Sequence, residues 1–155
     1  MDNIRQFNVS ALRVDIDTEF PSEQAVEIDS IISKWLGILP SWLKELRITQ
    51  AGSSEGDTVL TVVVRYRYRR AVIYVRPEWH QWGACDRERY IIHELVHIAT
   101  DELVSFSENT LGKLLSDDDP AHKALMEVHA EKVEAMTEDL KYAFMRIGRS
   151  DADDR

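Results

Sequence analysis

The stretch that decides the fold of this chain is Ile91-Ile92-His93-Glu94-Leu95-Val96-His97. Residues four apart on an α-helix lie on the same face, so His93 and His97 can both offer a ring nitrogen to one metal ion. Glu94 lies about 100° round the helix from His93, where its carboxylate can take a proton from a metal-bound water. The HELVH motif therefore predicts two metal ligands and a general base.

The composition is that of a soluble globular domain. The chain has 155 residues, of which 44% are hydrophobic and 30% are charged, and this is enough for one hydrophobic core. We predict a single domain over residues 1–148 and a disordered acidic tail over residues 149–155. The net charge of -9 disfavours broad binding to nucleic acid or to an anionic membrane.

The single cysteine and the N-terminus restrict the class of protein further. Cys85 alone cannot form an internal disulfide or a cysteine-rich zinc module, so a zinc site has to use histidine and carboxylate ligands. The N-terminus has no apolar run behind a basic start, and no window approaches the roughly 18 apolar residues of a membrane span. We therefore expect a cytoplasmic protein with no membrane partner.

Hydrophobic spacing in the first half of the chain predicts one helix and a small sheet. An amphipathic helix is expected over residues 22–36. Alternating residues predict a strand over residues 46–49 and an antiparallel hairpin of residues 60–69 with residues 71–75. The sheet is therefore expected to be mostly antiparallel.

Two further helices are predicted in the second half. The motif helix is expected over residues 87–104, with Asp86 as its N-cap, and a polar segment follows. Asp119 before Pro120 is a strong helix start, and the last helix can run to Ile147 before Gly148. The predicted fold class is α+β, with an N-terminal helix, a small sheet, the HExxH helix and a long C-terminal helix.

A third zinc ligand has to come from outside the motif helix. The extended HExxHxxGxxH pattern is absent, because Thr100 and Leu103 stand where Gly and His would be. On a helical wheel of the last helix, Glu131 falls at the edge of a stripe whose small residues permit close helix approach. We therefore predict Glu131 as the third ligand. The stripe consists of Ala124, Val128, Ala135 and Tyr142.

Other side chains of the last helix are alternatives. His122 and His129 could replace Glu131, because imidazole also suits zinc. Glu127 and Glu134 lie further round the wheel, and from there they could orient His93 or His97 as hydrogen-bond acceptors.

The run Arg65-Tyr66-Arg67-Tyr68-Arg69-Arg70 combines basic and aromatic residues, a pattern typical of nucleic-acid contacts. On an extended strand, however, the tyrosines and the arginines project from opposite faces, which spoils that geometry. We expect no nucleic-acid partner. The arginines are predicted to offset acidic neighbours or to meet an acidic partner.

The motif and the later glutamate together resemble a known family. HELVH, followed 34 residues beyond His97 by Glu131, resembles the minimal zincin pattern of the gluzincin type. The order of elements over about residues 22–145 is similar to that of ImmA/IrrE-like proteins and of small zincin-like phage proteins. The resemblance implies a zincin-like fold, zinc held by His93, His97 and Glu131, and a water activated by Glu94.

The resemblance also implies a place for the substrate. An edge strand before the motif helix would hold an extended peptide, and this role falls on some part of residues 71–75, with Ile73, Tyr74 and Val75 as the binding residues. Two features depart from the family: Ala135 stands where an Asp is usual, and no residue securely matches the one that stabilises the transition state. The candidates for that role are His80, Tyr90, His122 and His129.

The expected function is that of a zinc-dependent metallopeptidase, which hydrolyses peptide bonds with a zinc-activated water and with Glu94 as general base. Its expected partner is a protein or peptide substrate. The alternative is a non-catalytic zincin-fold module that acts through protein–protein contacts, with the arginine-rich hairpin or the loop of Trp79 and Trp82 as its surface. The sequence leaves the oligomeric state open.

Overall fold

The computed structural model describes the backbone of residues 12–52 and 58–153, with side chains up to Gly148. In these ranges the chain forms three α-helices and one four-stranded sheet, which confirms the α+β class. The strands are β1 (Arg13–Ile16), β2 (Glu45–Gln50), β3 (Leu60–Arg65) and β4 (Arg70–Val75). The helices are α1 (Ser22–Trp35), α2 (Ala84–Leu114) and α3 (Pro120–Asp153), with 3-10 turns at Leu36–Ile38, Tyr66–Tyr68 and Pro77–Gln81.

Contacts between residues divide the chain into two compact units. The first extends to Ile98 and the second begins at Ala99, so each unit contains part of α2. The predicted division into one domain over residues 1–148 and a tail over residues 149–155 stays a prediction.

The sheet is mixed, with the strand order β1-β2-β4-β3. β2 pairs in parallel with both β1 and β4, and β3 pairs antiparallel with β4. The expectation of a mostly antiparallel sheet is therefore wrong. Parallel neighbours are joined by long connections, here through α1 and through β3, and local residue spacing does not show which distant strands meet. The sequence also gave no sign of the short strand β1.

The β3–β4 hairpin is confirmed, but its turn begins earlier than predicted. β3 ends at Arg65, a 3-10 turn occupies Tyr66–Tyr68, and Arg69 adopts the left-handed conformation with φ 51°. The Arg69 carbonyl accepts hydrogen bonds from the backbone N–H groups of Lys44 and Glu45, at 2.8 and 3.1 Å. These two bonds help to hold a conformation that is costly for a residue with a side chain.

The core of the first unit is formed by one face of the sheet, by α1 and by the start of α2. Two polar contacts join α1 to α2 at the edge of this core: Trp35 donates its indole N–H to Glu88 at 2.8 Å, and Arg87 pairs with Glu27 at 2.8 Å. Apolar side chains are buried here at helical and at alternating spacing. They are Ile28, Ile31, Ile32 and Trp35 of α1, Leu46, Ile48, Leu60, Ala71, Ile73 and Val75 of the sheet, and Ile91, Ile92, Leu95, Val96 and Ile98 of α2.

Both long helices exceed their predicted length. α2 begins before Asp86, which is therefore not its N-cap, and continues to Leu114 through the segment expected to be a loop. α3 begins at Pro120 as predicted, where Asp119 Oδ1 accepts the Ala121 N–H at 2.8 Å, and its backbone is helical to Asp153. No helix in the described ranges is both long and apolar enough to cross a membrane.

Candidate metal centre

The two motif histidines lie side by side on α2. The apolar side chains of residues 91, 92, 95, 96 and 98 are buried and orient the helix in the first unit, whereas His93 and His97 are half-buried. Their Nε2 atoms are 3.0 Å apart, and the ring centroids are 4.7 Å apart at an interplanar angle of 76°. The spacing of four residues thus brings the two ring nitrogens together.

The separation of these nitrogens suits two ligands of one metal ion. Nitrogens about 2.0–2.1 Å from a tetrahedral zinc lie about 3.3 Å from each other, near the 3.0 Å found between His93 and His97. A direct hydrogen bond between them requires that one Nε2 carry a hydrogen. Metal binding instead requires both Nε2 atoms to be unprotonated and leaves a hydrogen on each Nδ1.

A carboxylate of α3 completes a possible ligand set. Ligand atoms of His93, His97 and Glu134 all lie within 4.8 Å of one another, and no other such group of three occurs among the described residues. The group does not include Glu131, the residue predicted as the third ligand. From the sequence, Glu134 was placed further round the helical wheel than Glu131, where it could orient a histidine.

Glu131 was predicted in place of Glu134 because the helical wheel was centred on the wrong stripe of α3. Ala124, Val128, Ala135 and Tyr142, which were expected to face a neighbouring helix, are all exposed, and so is Glu131 on their edge. The buried positions of α3 lie elsewhere: Thr137, Lys141 and Met145 recur at steps of four. Glu134 is exposed like Glu131, but it lies about one helical turn before Thr137 and so in line with the buried row. A wheel centred on the buried row therefore aligns with Glu134.

Glu94 and Tyr90 lie on the same helix as the two histidines. The Glu94 side chain is buried, which is unusual for a carboxylate unless it has a partner or a chemical task. Tyr90 is partly exposed and packs against Trp82 at a centroid distance of 4.2 Å. Tyr90 is thus held by Trp82, and the role of Glu94 as the base stays a prediction.

The two histidines of α3 make contacts within the second unit. His122 Nδ1 lies 3.7 Å from the Asp117 carboxylate. The His129 Nε2 atom lies 2.6 Å from the Ser107 hydroxyl oxygen, and Ser107 in turn donates to the Val104 carbonyl at 2.8 Å. The tautomer of His129 decides which of the two atoms donates in this contact. Neither histidine belongs to the group of ligand atoms around His93, and Glu127 is exposed outside it.

Ser107 and His129, with the Glu108 carboxylate 3.9 Å from His129 Nδ1, resemble a hydrolytic triad in residue type. The geometry does not support that role. The Val104 carbonyl, 2.8 Å from the Ser107 hydroxyl oxygen, competes with His129 for the single hydroxyl hydrogen. The 3.9 Å between Glu108 and His129 is too long for a hydrogen bond. We interpret the set as a structural contact.

The strand predicted to hold the substrate is not an edge strand. β4 pairs with β2 on one side and with β3 on the other, and the side chains of Ile73 and Val75 are buried. Backbone groups of residues 73–75 are therefore committed to the sheet and cannot bind an extended peptide. Among the described strands the edges are β1 and β3.

His80, a candidate for stabilising the transition state, lies in the 3-10 turn before α2. Its Nε2 atom is buried with no hydrogen-bond partner among the described residues, and its ring packs against Trp79. Burial lowers the pKa of the His80 imidazole, and the positive charge of Arg87 lowers it further. Both effects favour the neutral form of the His80 ring.

Comparisons with protein-family models, with curated proteins and with solved structures find no match for this chain. A function for this chain therefore has to be proposed from the chemistry of its side chains.

Proposed function

We propose that this protein is a zinc-dependent peptidase with a zincin-like fold, in which His93, His97 and Glu134 hold the metal and Glu94 is the general base. The observation that carries the proposal is the group of three ligand atoms within 4.8 Å. Two imidazoles and one carboxylate are a donor set typical of catalytic zinc, and they leave a fourth position for water or substrate.

The buried Glu94 supplies the acid–base chemistry in this proposal. A bound zinc ion would polarise the substrate carbonyl and make a water more acidic. Glu94 takes the proton of the attacking water and delivers it to the leaving amine, so that the carboxylate is regenerated in each cycle.

The sheet offers a different substrate strand from the one expected. An extended peptide that adds to the sheet needs unpaired backbone groups, and β3 pairs only with β4 among the described strands. We therefore assign the peptide-binding edge to β3, residues Leu60–Arg65, in place of residues 73–75.

Metal analysis tests the ligand set. Untagged protein purified without added zinc is expected to contain about one zinc per chain, measured by mass spectrometry. His93→Ala and Glu134→Ala should lose the metal, whereas the matched control Glu131→Ala should retain it. Less than stoichiometric zinc in the wild type, or loss of zinc in Glu131→Ala but not in Glu134→Ala, contradicts the ligand set.

Glu94→Gln tests catalysis separately from metal binding. The variant should keep its zinc and its circular dichroism spectrum but cleave a mixed peptide library at least about 100-fold more slowly, because general-base catalysis typically contributes that much or more. If the zinc-loaded wild type cleaves no peptide, the non-catalytic module becomes the better interpretation. If Glu94→Gln cleaves as fast as the wild type, Glu94 is not the base.

A further inference from the structure

The second unit exposes a group of large apolar side chains on its two helices. Leu103, Phe106 and Leu114 of α2 are 63%, 69% and 73% exposed, and Leu125 and Val128 of α3 are 45% and 51% exposed. We call these five residues the hairpin face. Single exposed apolar residues are ordinary, but five in one small unit are a feature that needs a cause.

The contact between Ser107 and His129 determines where the five residues lie. It joins α2 to α3 across a short connection of residues 115–119, so the two helices are antiparallel neighbours. Leu103 and Phe106 precede Ser107 by four and one residues, and Leu125 and Val128 precede His129 by the same steps. These steps correspond to turns of about 40° and 100° in the same sense on each helix.

Equal turns in the same sense place the two groups on the same side of an antiparallel pair. Viewed from one end of the pair, the two antiparallel helices turn in opposite senses along the chain. Their contact residues, Ser107 and His129, also point in opposite directions, towards each other. These two differences cancel, so the apolar groups of α2 and α3 project in the same direction. Leu114 falls about 20° from Ser107 on that side, which extends the face towards the connection. The five side chains of the hairpin face therefore project from the same side of the helix pair.

The area of the face matches the need of a stable dimer. The exposed fractions of its five residues correspond to about three whole side chains, or on the order of 500 Å². A standard interface buries about 800 Å² on each partner, of which somewhat more than half is apolar. One copy of the face thus supplies the apolar share of one side of such an interface.

The charges around the face permit a second copy in spite of the net charge of -9. Exposed charges of both signs lie near the apolar residues in sequence: they are Glu102, Glu108, Glu127 and Glu131, and Lys113, Lys123 and Lys132. The four acidic and three basic residues nearly cancel, so two copies of this surface repel each other less than other acidic parts of the chain would. A strongly acidic or basic partner has no complementary field here.

We propose that the hairpin face binds the same face of a second chain, so that two α2–α3 hairpins form a four-helix bundle. Such an interface is isologous, because each copy contributes the same residues. Helical hairpins that bury one apolar face against each other are a common bundle arrangement. The proposal concerns the second unit and does not depend on zinc binding or catalysis.

Sedimentation equilibrium of the full chain from about 1 to 100 μM tests the dimer. The wild type is expected to be a dimer at the upper end of this range. Phe106→Glu places one charge from each copy in the apolar face and should raise the dissociation constant at least about 100-fold. Val26→Glu is the matched control, because Val26 is 70% exposed on α1 and lies outside the face, and it should leave the constant unchanged.

Three other results of the sedimentation experiment would contradict the proposal. A wild type that is monomeric at 100 μM shows that the face does not bind a second copy of the chain. A dimer that survives Phe106→Glu, or that Val26→Glu dissociates equally, forms through another surface. Because both substituted residues are exposed, both variants should fold, and circular dichroism verifies this before sedimentation.

Discussion

The two halves of α2 contain the same kinds of residues in opposite surroundings. In the first half, residues 91–98, every apolar side chain is buried in the core of the first unit. In the second half, Leu103, Phe106 and Leu114 are mostly exposed. Helical spacing of apolar residues therefore predicts that a helix has an apolar face, but it does not predict what covers that face. α2 is thus packed into the core of the first unit by residues 91–98 and exposes apolar side chains beyond residue 102.

The largest expected contrast between the halves is in stability. Leu95→Ala should lower the free energy of unfolding by about 2–5 kcal/mol, because it removes a fully buried side chain and leaves a cavity. Leu103→Ala should cost no more than about 0.5 kcal/mol in the monomer, since its side chain is already mostly in water. Urea unfolding at submicromolar protein concentration measures both.

The same two variants show whether the second half is truly uncovered. If Leu103→Ala costs as much as Leu95→Ala at low protein concentration, the second half is buried within the single chain and the comparison fails. A cost that appears only when the protein concentration is raised is the outcome expected of a side chain covered by a second copy.

A smaller loss of stability is expected at the start of α3, the helix that packs beside the exposed half of α2. Asp119 accepts the Ala121 N–H, and Asp119→Ala should cost about 1 kcal/mol through loss of this cap. Asp118→Ala is the control, because Asp118 is exposed and precedes the cap position. Thermal unfolding compares the two, and equal costs would mean that charge rather than capping stabilises the helix start.

The fold was predictable where the signals are local. α1, the hairpin and the start of α3 follow from apolar spacing, alternation and an Asp-Pro cap, all within a few residues of the elements they define. The parallel partners of β2 were not predictable, because they are far apart in sequence. α2 was taken as too short because residues 105–114 are polar, although they contain no proline to end the helix.

In the candidate site, too, only the residues that are close together in sequence were predictable. His93, Glu94 and His97 lie within one helical turn, so their spacing alone shows that the histidines share a face. The third ligand depends on which side of α3 is covered, and nothing in the sequence near Glu131 or Glu134 states this. The prediction chose a residue three positions before the one whose carboxylate lies near the histidines.

The smallest expected effect concerns a carboxylate at the boundary between the two halves of α2. Burial raises the pKa of Asp101, and the negative charge of Glu108 raises it further. The folded state therefore holds this proton more strongly than the unfolded state does, so Asp101 costs stability as the pH rises above 3.8, and the cost is complete at neutral pH. Asp101→Asn removes the charge and should raise the free energy of unfolding at pH 7.

We expect that gain to be no more than about 0.5 kcal/mol, because the Asp101 side chain is only partly buried and water screens its charge. It should shrink towards zero below pH 3.8, where both states are protonated. Asp139→Asn, at an exposed position of α3, measures the general benefit of removing one charge from an acidic chain. Urea unfolding at pH 7 and at pH 3.5 compares the two variants. A gain for Asp101→Asn that is equal to the control, or that persists at pH 3.5, would show that the second half of α2 is open to water even at its junction with the buried half.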